Sequence, residues 1–121
     1  MARLQFTDDA KDDIRALDRS VQARVLKDLE KLKHSPVDRG GPLGARQYTG
    51  NLSGLRKLRV GPKDAYRAVY FADGDDLAIV MVVAARSDAH CYQLARTRLE
   101  LMPDAPGVDG LRAFLLEMVS D

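Results

Sequence analysis

The chain has 121 residues, 45% hydrophobic and 31% charged, a balance that suits one soluble globular domain and excludes a disordered or fibrous chain. Its one cysteine, Cys91, excludes an internal disulfide; no run approaches the roughly 18 apolar residues of a spanning helix, and the N-terminus turns acidic before an apolar leader could form, so a cytoplasmic, membrane-free protein is expected. The net charge of +1 excludes little, because residues 1–45 carry nine basic and eight acidic side chains, residues 46–98 nine and five, and residues 99–121 one and five, which places +4 in the middle and −4 at the end.

Arg3 to Phe6 alternates as a short strand and runs into Thr7, a good N-cap with Asp8 and Asp9 behind it where the helix dipole favours anions. The following helix buries Ala10, Ile14 and Leu17 and should end near Asp18. Ser20 is a second N-cap, and the stripe Val21, Val25, Leu29 and Leu32 predicts a helix up to His34, where Ser35-Pro36 stops it. The Pro- and Gly-rich stretch from Ser35 to Gly44 reads as a loop.

From Arg46 onward the period becomes two. Leu55, Lys57 and Arg59 alternate with Arg56, Leu58 and Val60; Gly61 to Asp64 makes a turn; Tyr66, Ala68 and Tyr70 alternate with Arg67, Val69 and Phe71; and Ala72 to Asp75 makes the next turn. Leu77 to Ala85 is almost entirely apolar, as in a central strand covered on both faces. Ser87 or Asp88 can cap a helix burying Cys91, Leu94, Ala95 and Leu99, and after a linker from Met102 to Asp109 an amphipathic helix from Gly110 to Ser120 presents Leu111, Phe114, Leu115 and Met118. The expected fold is a small α+β domain with an antiparallel sheet of about four strands, two N-terminal helices packed on it and a helix after the last strand. The acidic extension 101–121 is expected to pack on the domain formed by residues 1–100.

The sequence holds no HExxH, CxxC, Walker or GxGxxG signature, and its two histidines stand far apart, so no metal and no cofactor are expected. His34 suits a helix C-terminus, and Cys91 a small buried hydrophobe. What stands out is a series of cations and phenols on consecutive strands: Arg56, Lys57 and Arg59, then Tyr66, Arg67 and Tyr70, then Arg86 and Tyr92, with His90 close by. The period of two puts Lys57 and Arg59 on one face, with Arg67 on the neighbouring strand. Such a face suits a phosphate-bearing partner; a solvated strand surface is the plainer alternative.

The run GLRKLRVGPKDAYRAVYFADGDDLAIVMVVAARSDAHCYQLARTRL, preceded by a short strand and paired helices, resembles the RelE/ParE toxin superfamily of toxin–antitoxin systems over roughly residues 2–99. The resemblance rests on the KLR, YRAVY and R-x5-Y elements in that order. It implies helices on one side of an antiparallel sheet. For the RNA-cleaving branch it implies catalytic roles for Lys57, Arg67, Arg86 and Tyr92, with Arg56, Arg59, Tyr66 and His90 as candidates for RNA contacts. Where some members carry a second lysine, two residues before the KLR lysine, this chain has Leu55, so the general base stays unassigned. The implied partners are a cognate antitoxin, in a toxin–antitoxin hetero-oligomer, and messenger RNA on the ribosome.

Those residue types suit metal-free RNA cleavage, which must activate the ribose 2′-OH, stabilise charge on the phosphate oxygens and protonate the leaving 5′-oxygen. An arginine fork donates two hydrogen bonds to a phosphate and stays charged at any working pH. A lysine amine or tyrosine phenol, with reference values near 10, becomes a base at neutral pH only when neighbouring cations depress it; Tyr92 could instead stack on a base. Two other functions remain open, a ParE-like gyrase inhibitor without nuclease activity and a catalytically degenerate binding module.

Overall fold

A computed structural model of the chain describes residues 2–34, 36, 41–42, 55–73, 76–85, 94–95 and 97. In chain order they form β1 (Arg3–Phe6), α1 (Asp8–Arg15), α2 (Arg19–Leu29), a 3-10 turn (Glu30–Lys33), β2 (Gly41–Pro42), β3 (Leu55–Val60), β4 (Tyr66–Asp73) and β5 (Leu77–Ala84). The class is α+β. Among the described residues no helix is long and apolar enough to cross a membrane.

Thr7 caps α1 as its sequence suggests: its backbone is extended and its hydroxyl accepts the Ala10 N–H at 3.2 Å. The helix ends at Arg15, short of Asp18, because Gln22 Nε2 donates to the carbonyls of Arg15 (3.2 Å) and Leu17 (2.8 Å) and closes that end from α2. The cap residue of α2 is Asp18 rather than Ser20, since the Gln22 N–H donates to the Asp18 carbonyl at 2.8 Å and sets the first turn there. The α geometry stops at Leu29 and tightens into the 3-10 turn before His34 leaves in extended conformation. The Lys33 carbonyl accepts the Ala2 N–H at 2.7 Å, which ties this end of the hairpin to β1.

The sheet order is β1-β5-β4-β3-β2. Strands β2 to β5 pair antiparallel, but β1 runs parallel to β5, with Leu4 opposite Ala78 and Phe6 opposite Val80. The antiparallel sheet expected from the sequence is therefore corrected to a mixed one, with four full strands and a two-residue fifth. Hydrophobic alternation reveals a strand's faces but not its direction. Because β1 passes into the helical hairpin and not into a tight β-turn, nothing forces it antiparallel on the edge of β5. The second correction is β2, which falls inside the expected loop. Two residues opposite Lys57 and Arg56 suffice for a ladder, and Pro42 is tolerated because the strand is an edge.

Helices α1 and α2 cover one face of the sheet, where Ala10, Ile14, Val25, Leu29 and Leu32 pack on Val60, Ala68, Tyr70, Ala78, Val80 and Val83. Each fully buried Val or Leu there contributes about 1.5–3 kcal/mol. A register shift between Val69 and Tyr70 changes the alternation, so that Val80 and Val83 both face the helices. Strand β1 ends beside Val80, and beyond it the Val83 N–H donates to Asp13 of α1 at 2.9 Å. On the opposite face Leu55, Phe71, Leu77, Ile79 and Val82 are buried too, so β5 is covered on both sides, as its apolar run anticipates.

Strand β4 continues to Asp73, into the stretch expected to turn, and residues 74–75 are outside the described residues. Leu94, Ala95 and Thr97 are helical and Ala95 is buried, in line with the helix expected after the last strand. The other residues of the expected helix and the extension 101–121 lie outside the described residues.

Candidate nucleic-acid interface

Along β3 and β4 the two-residue period sorts chemistry by face. Leu55 stands opposite Phe71, Lys57 opposite Val69 and Arg59 opposite Arg67; the intervening pairs are Arg56 with Tyr70, Leu58 with Ala68 and Val60 with Tyr66. Tyr70, Ala68 and Val60 belong to the helix-covered core. Lys57, Arg59 and Arg67 therefore project from the other face.

On that face three successive rungs change character. Leu55, Phe71 and Ile79 form a buried apolar rung; Lys57, Val69 and Val82 form the next, with the lysine half-buried; Arg59, Arg67 and Ala84 form the last, where Arg59 is exposed. The cations thus gather at the end of the sheet that carries the β3–β4 turn. On the other side of β3, the register partner of Lys57 is Gly41 of β2.

Arg59 and Arg67 are direct register partners, with Cβ atoms of such pairs about 4.5–5.5 Å apart. Two like charges about 4 Å apart repel by roughly 1 kcal/mol in water and by more where water is excluded. An anion lying between them converts that repulsion into two attractions. Arg67 is also braced: its Nη1 donates to the carbonyls of Asp64 at 2.7 Å and Tyr66 at 3.1 Å, which orients the fork.

The other residues singled out from the sequence fall elsewhere. Arg56 and Tyr66 lie on the helix side of the sheet, and Tyr66 packs against the core with its ring over Gly61. Tyr70 is fully buried and its hydroxyl donates to the Pro36 carbonyl at 2.8 Å. Leu55, the departure from the two-lysine pattern, is 2% exposed opposite Phe71, a place where an ammonium would be costly. Arg86, His90 and Tyr92 lie outside the described residues. Among the described residues no three His, Cys, Asp or Glu side chains gather as metal ligands.

Two features escaped the sequence reading. Asp28 reads as one more charge on an amphipathic helix, yet it is buried and accepts the Gly61 N–H at 2.9 Å. Leu26, beside the apolar stripe of α2, is 43% exposed and borders a shallow depression of about 190 Å³ with Phe6, Ile14, Lys11 and Arg15. An apolar residue one position off the stripe was the available signal for the latter.

Comparison with known families matches residues 12–100 to the family described as phage derived protein Gp49-like (DUF891), and the chain belongs to that family. The match includes both helices from Asp12 onward, the cationic rungs and the segment through Arg86 and Tyr92. A search of curated proteins finds no match.

Proposed function

We propose that this chain is the toxin of a toxin–antitoxin pair and that its Lys57–Arg59–Arg67 face grips the RNA backbone for metal-independent cleavage. The observation that carries the proposal is the facing pair Arg59 and Arg67, with Lys57 one rung away on the same side. The Gp49-like family is associated with RelE-like toxins, which supports a toxin role and a cognate antitoxin as partner.

In this account Arg67 and Arg59 clamp the scissile phosphate and Lys57 stabilises charge or takes the 2′-OH proton. Arg86 and Tyr92 complete the site. Arg86 follows Ala84, the register partner of Arg67, by two residues in the sequence. Preorganised donors of this type, when they strengthen in the transition state, contribute about 3–4 kcal/mol each. Messenger RNA on the ribosome is the proposed substrate in the cytoplasm.

The test expresses the chain without an antitoxin, adds it to a translating extract and maps messenger RNA ends, with gyrase supercoiling measured in parallel. New RNA ends that vanish in Arg86→Ala and Tyr92→Phe are expected. Intact RNA with inhibited supercoiling would replace this function with target binding. On a short RNA without ribosomes, cleavage is expected to persist in excess EDTA, because a cationic site repels a divalent ion; activity restored only by one particular divalent cation would contradict it.

A further inference from the structure

The turn joining β3 to β4 is held more firmly than an exposed connection needs. Gly61 (φ 84), Lys63 (φ 56) and Asp64 (φ 55) all adopt left-handed backbone, which side-chain-bearing residues keep only when their surroundings impose it. A Cβ at Gly61 would meet Tyr66 Cδ2 at 2.8 Å and Val25 Cγ2 at 3.3 Å, so the turn is pressed between α2 and the start of β4.

One buried carboxylate anchors it. Asp28 of α2 accepts the Gly61 N–H at 2.9 Å, while Arg24 Nε and Lys31 Nζ stand 3.5 and 3.6 Å from its oxygens. The turn's own backbone carries the constraint onward, with Asp64 N–H donating to the Gly61 carbonyl and Ala65 N–H to the Pro62 carbonyl, both at 3.1 Å. At the far end the Asp64 and Tyr66 carbonyls receive Arg67 Nη1. A continuous path therefore links the helical layer to the cationic face.

We infer that Asp28 is a positioning residue for Arg67: by fixing the β3–β4 turn it holds the Asp64 and Tyr66 carbonyls where they keep the guanidinium oriented opposite Arg59. The inference rests on the RNA-cleaving function proposed above. Asp28 itself touches no substrate. A long arginine that must be ordered on binding loses affinity and alignment, and one braced beforehand does not. A misplacement of about 1 Å at a reacting group can cost roughly a hundredfold in rate.

The experiment compares the full chain with Asp28→Asn, Asp28→Ala, Arg67→Ala and the double variant Asp28→Ala/Arg67→Ala on a short single-stranded RNA, each confirmed folded by circular dichroism. Asn retains an acceptor for the Gly61 N–H and is expected to restore nearly full kcat. Asp28→Ala is expected to lower kcat by about tenfold to a hundredfold with a smaller change in KM. The double variant should be no slower than Arg67→Ala alone, since both act through one group. Gly61→Ala, which displaces the same turn from the other side, should repeat the kcat-selective loss even if Asp28→Ala fails to fold.

The Arg67 side-chain resonances provide a readout independent of cleavage. They should lose their hydrogen-bonded shift in Asp28→Ala or Gly61→Ala and keep it in Asp28→Asn. Losses that multiply in the double variant, or Arg67 resonances unchanged in both turn-displacing variants, overturn the inference. A wild type that leaves messenger RNA uncut in the translating extract overturns the cleavage proposal instead, and the resonances then decide the positioning claim.

Discussion

The two faces of the sheet use the same alternation for opposite ends. Toward the helices, β3 and β4 offer Leu58, Val60, Ala68 and Tyr70, which pack against α1 and α2; toward the other side the same strands offer Lys57, Arg59 and Arg67 beside a buried apolar rung. Stability and the proposed chemistry are thus separated by single steps along one strand, Leu58 between Lys57 and Arg59. Substitutions at adjacent positions should fail in different assays.

The largest effect is expected at the core. Leu29→Ala opens a cavity under the helix-covered face and should destabilise by about 2–5 kcal/mol, lowering the melting temperature by about 4 °C per kcal/mol for a domain of this size. The fraction that remains folded should bind RNA as the wild type does. A variant of normal stability that had lost RNA binding would erase the division between faces.

Arg67→Ala is the counterpart on the other face. Cleavage should fall about a hundredfold to a thousandfold, while thermal stability stays within about 0.5 kcal/mol of wild type. Tyr70→Phe sharpens the comparison at a smaller scale. It removes the donor to the buried Pro36 carbonyl and should cost about 1–3 kcal/mol in denaturant unfolding, with no change in the rate at which the folded protein cuts RNA.

The sequence carried some of this arrangement and not the rest, for physical reasons. The common face of Lys57 and Arg59 follows from a period of two, and the helix stripes through Ile14, Val25 and Leu29 from one of 3.6, whereas the register that adds Arg67 to that face does not. The same alternation separates Tyr66 from Arg67, so the pairing Val60–Tyr66 on the helix side was implicit once register was known, but register depends on the turn. The direction of β1 and the two-residue β2 were not legible, because neither leaves a periodic trace. Gly61 announced a turn, whereas the left-handed Lys63 and Asp64 and the burial of Asp28 arise only when α2 meets that turn in three dimensions.

The central claim is that Arg59 and Arg67 form a phosphate-binding pair. The deciding measurement is the affinity for a short single-stranded RNA, titrated across salt concentration, for the wild type, Arg59→Ala and Arg67→Ala. Each substitution should weaken binding regardless of RNA sequence and reduce the slope of log K against log salt by about 0.7, the share of one phosphate contact on a single strand. It should also leave the melting temperature unchanged or slightly raised, because a like-charged cross-strand pair has been relieved. Unchanged affinity and slope in both variants would contradict the claim and mark the cationic face as a solvated surface.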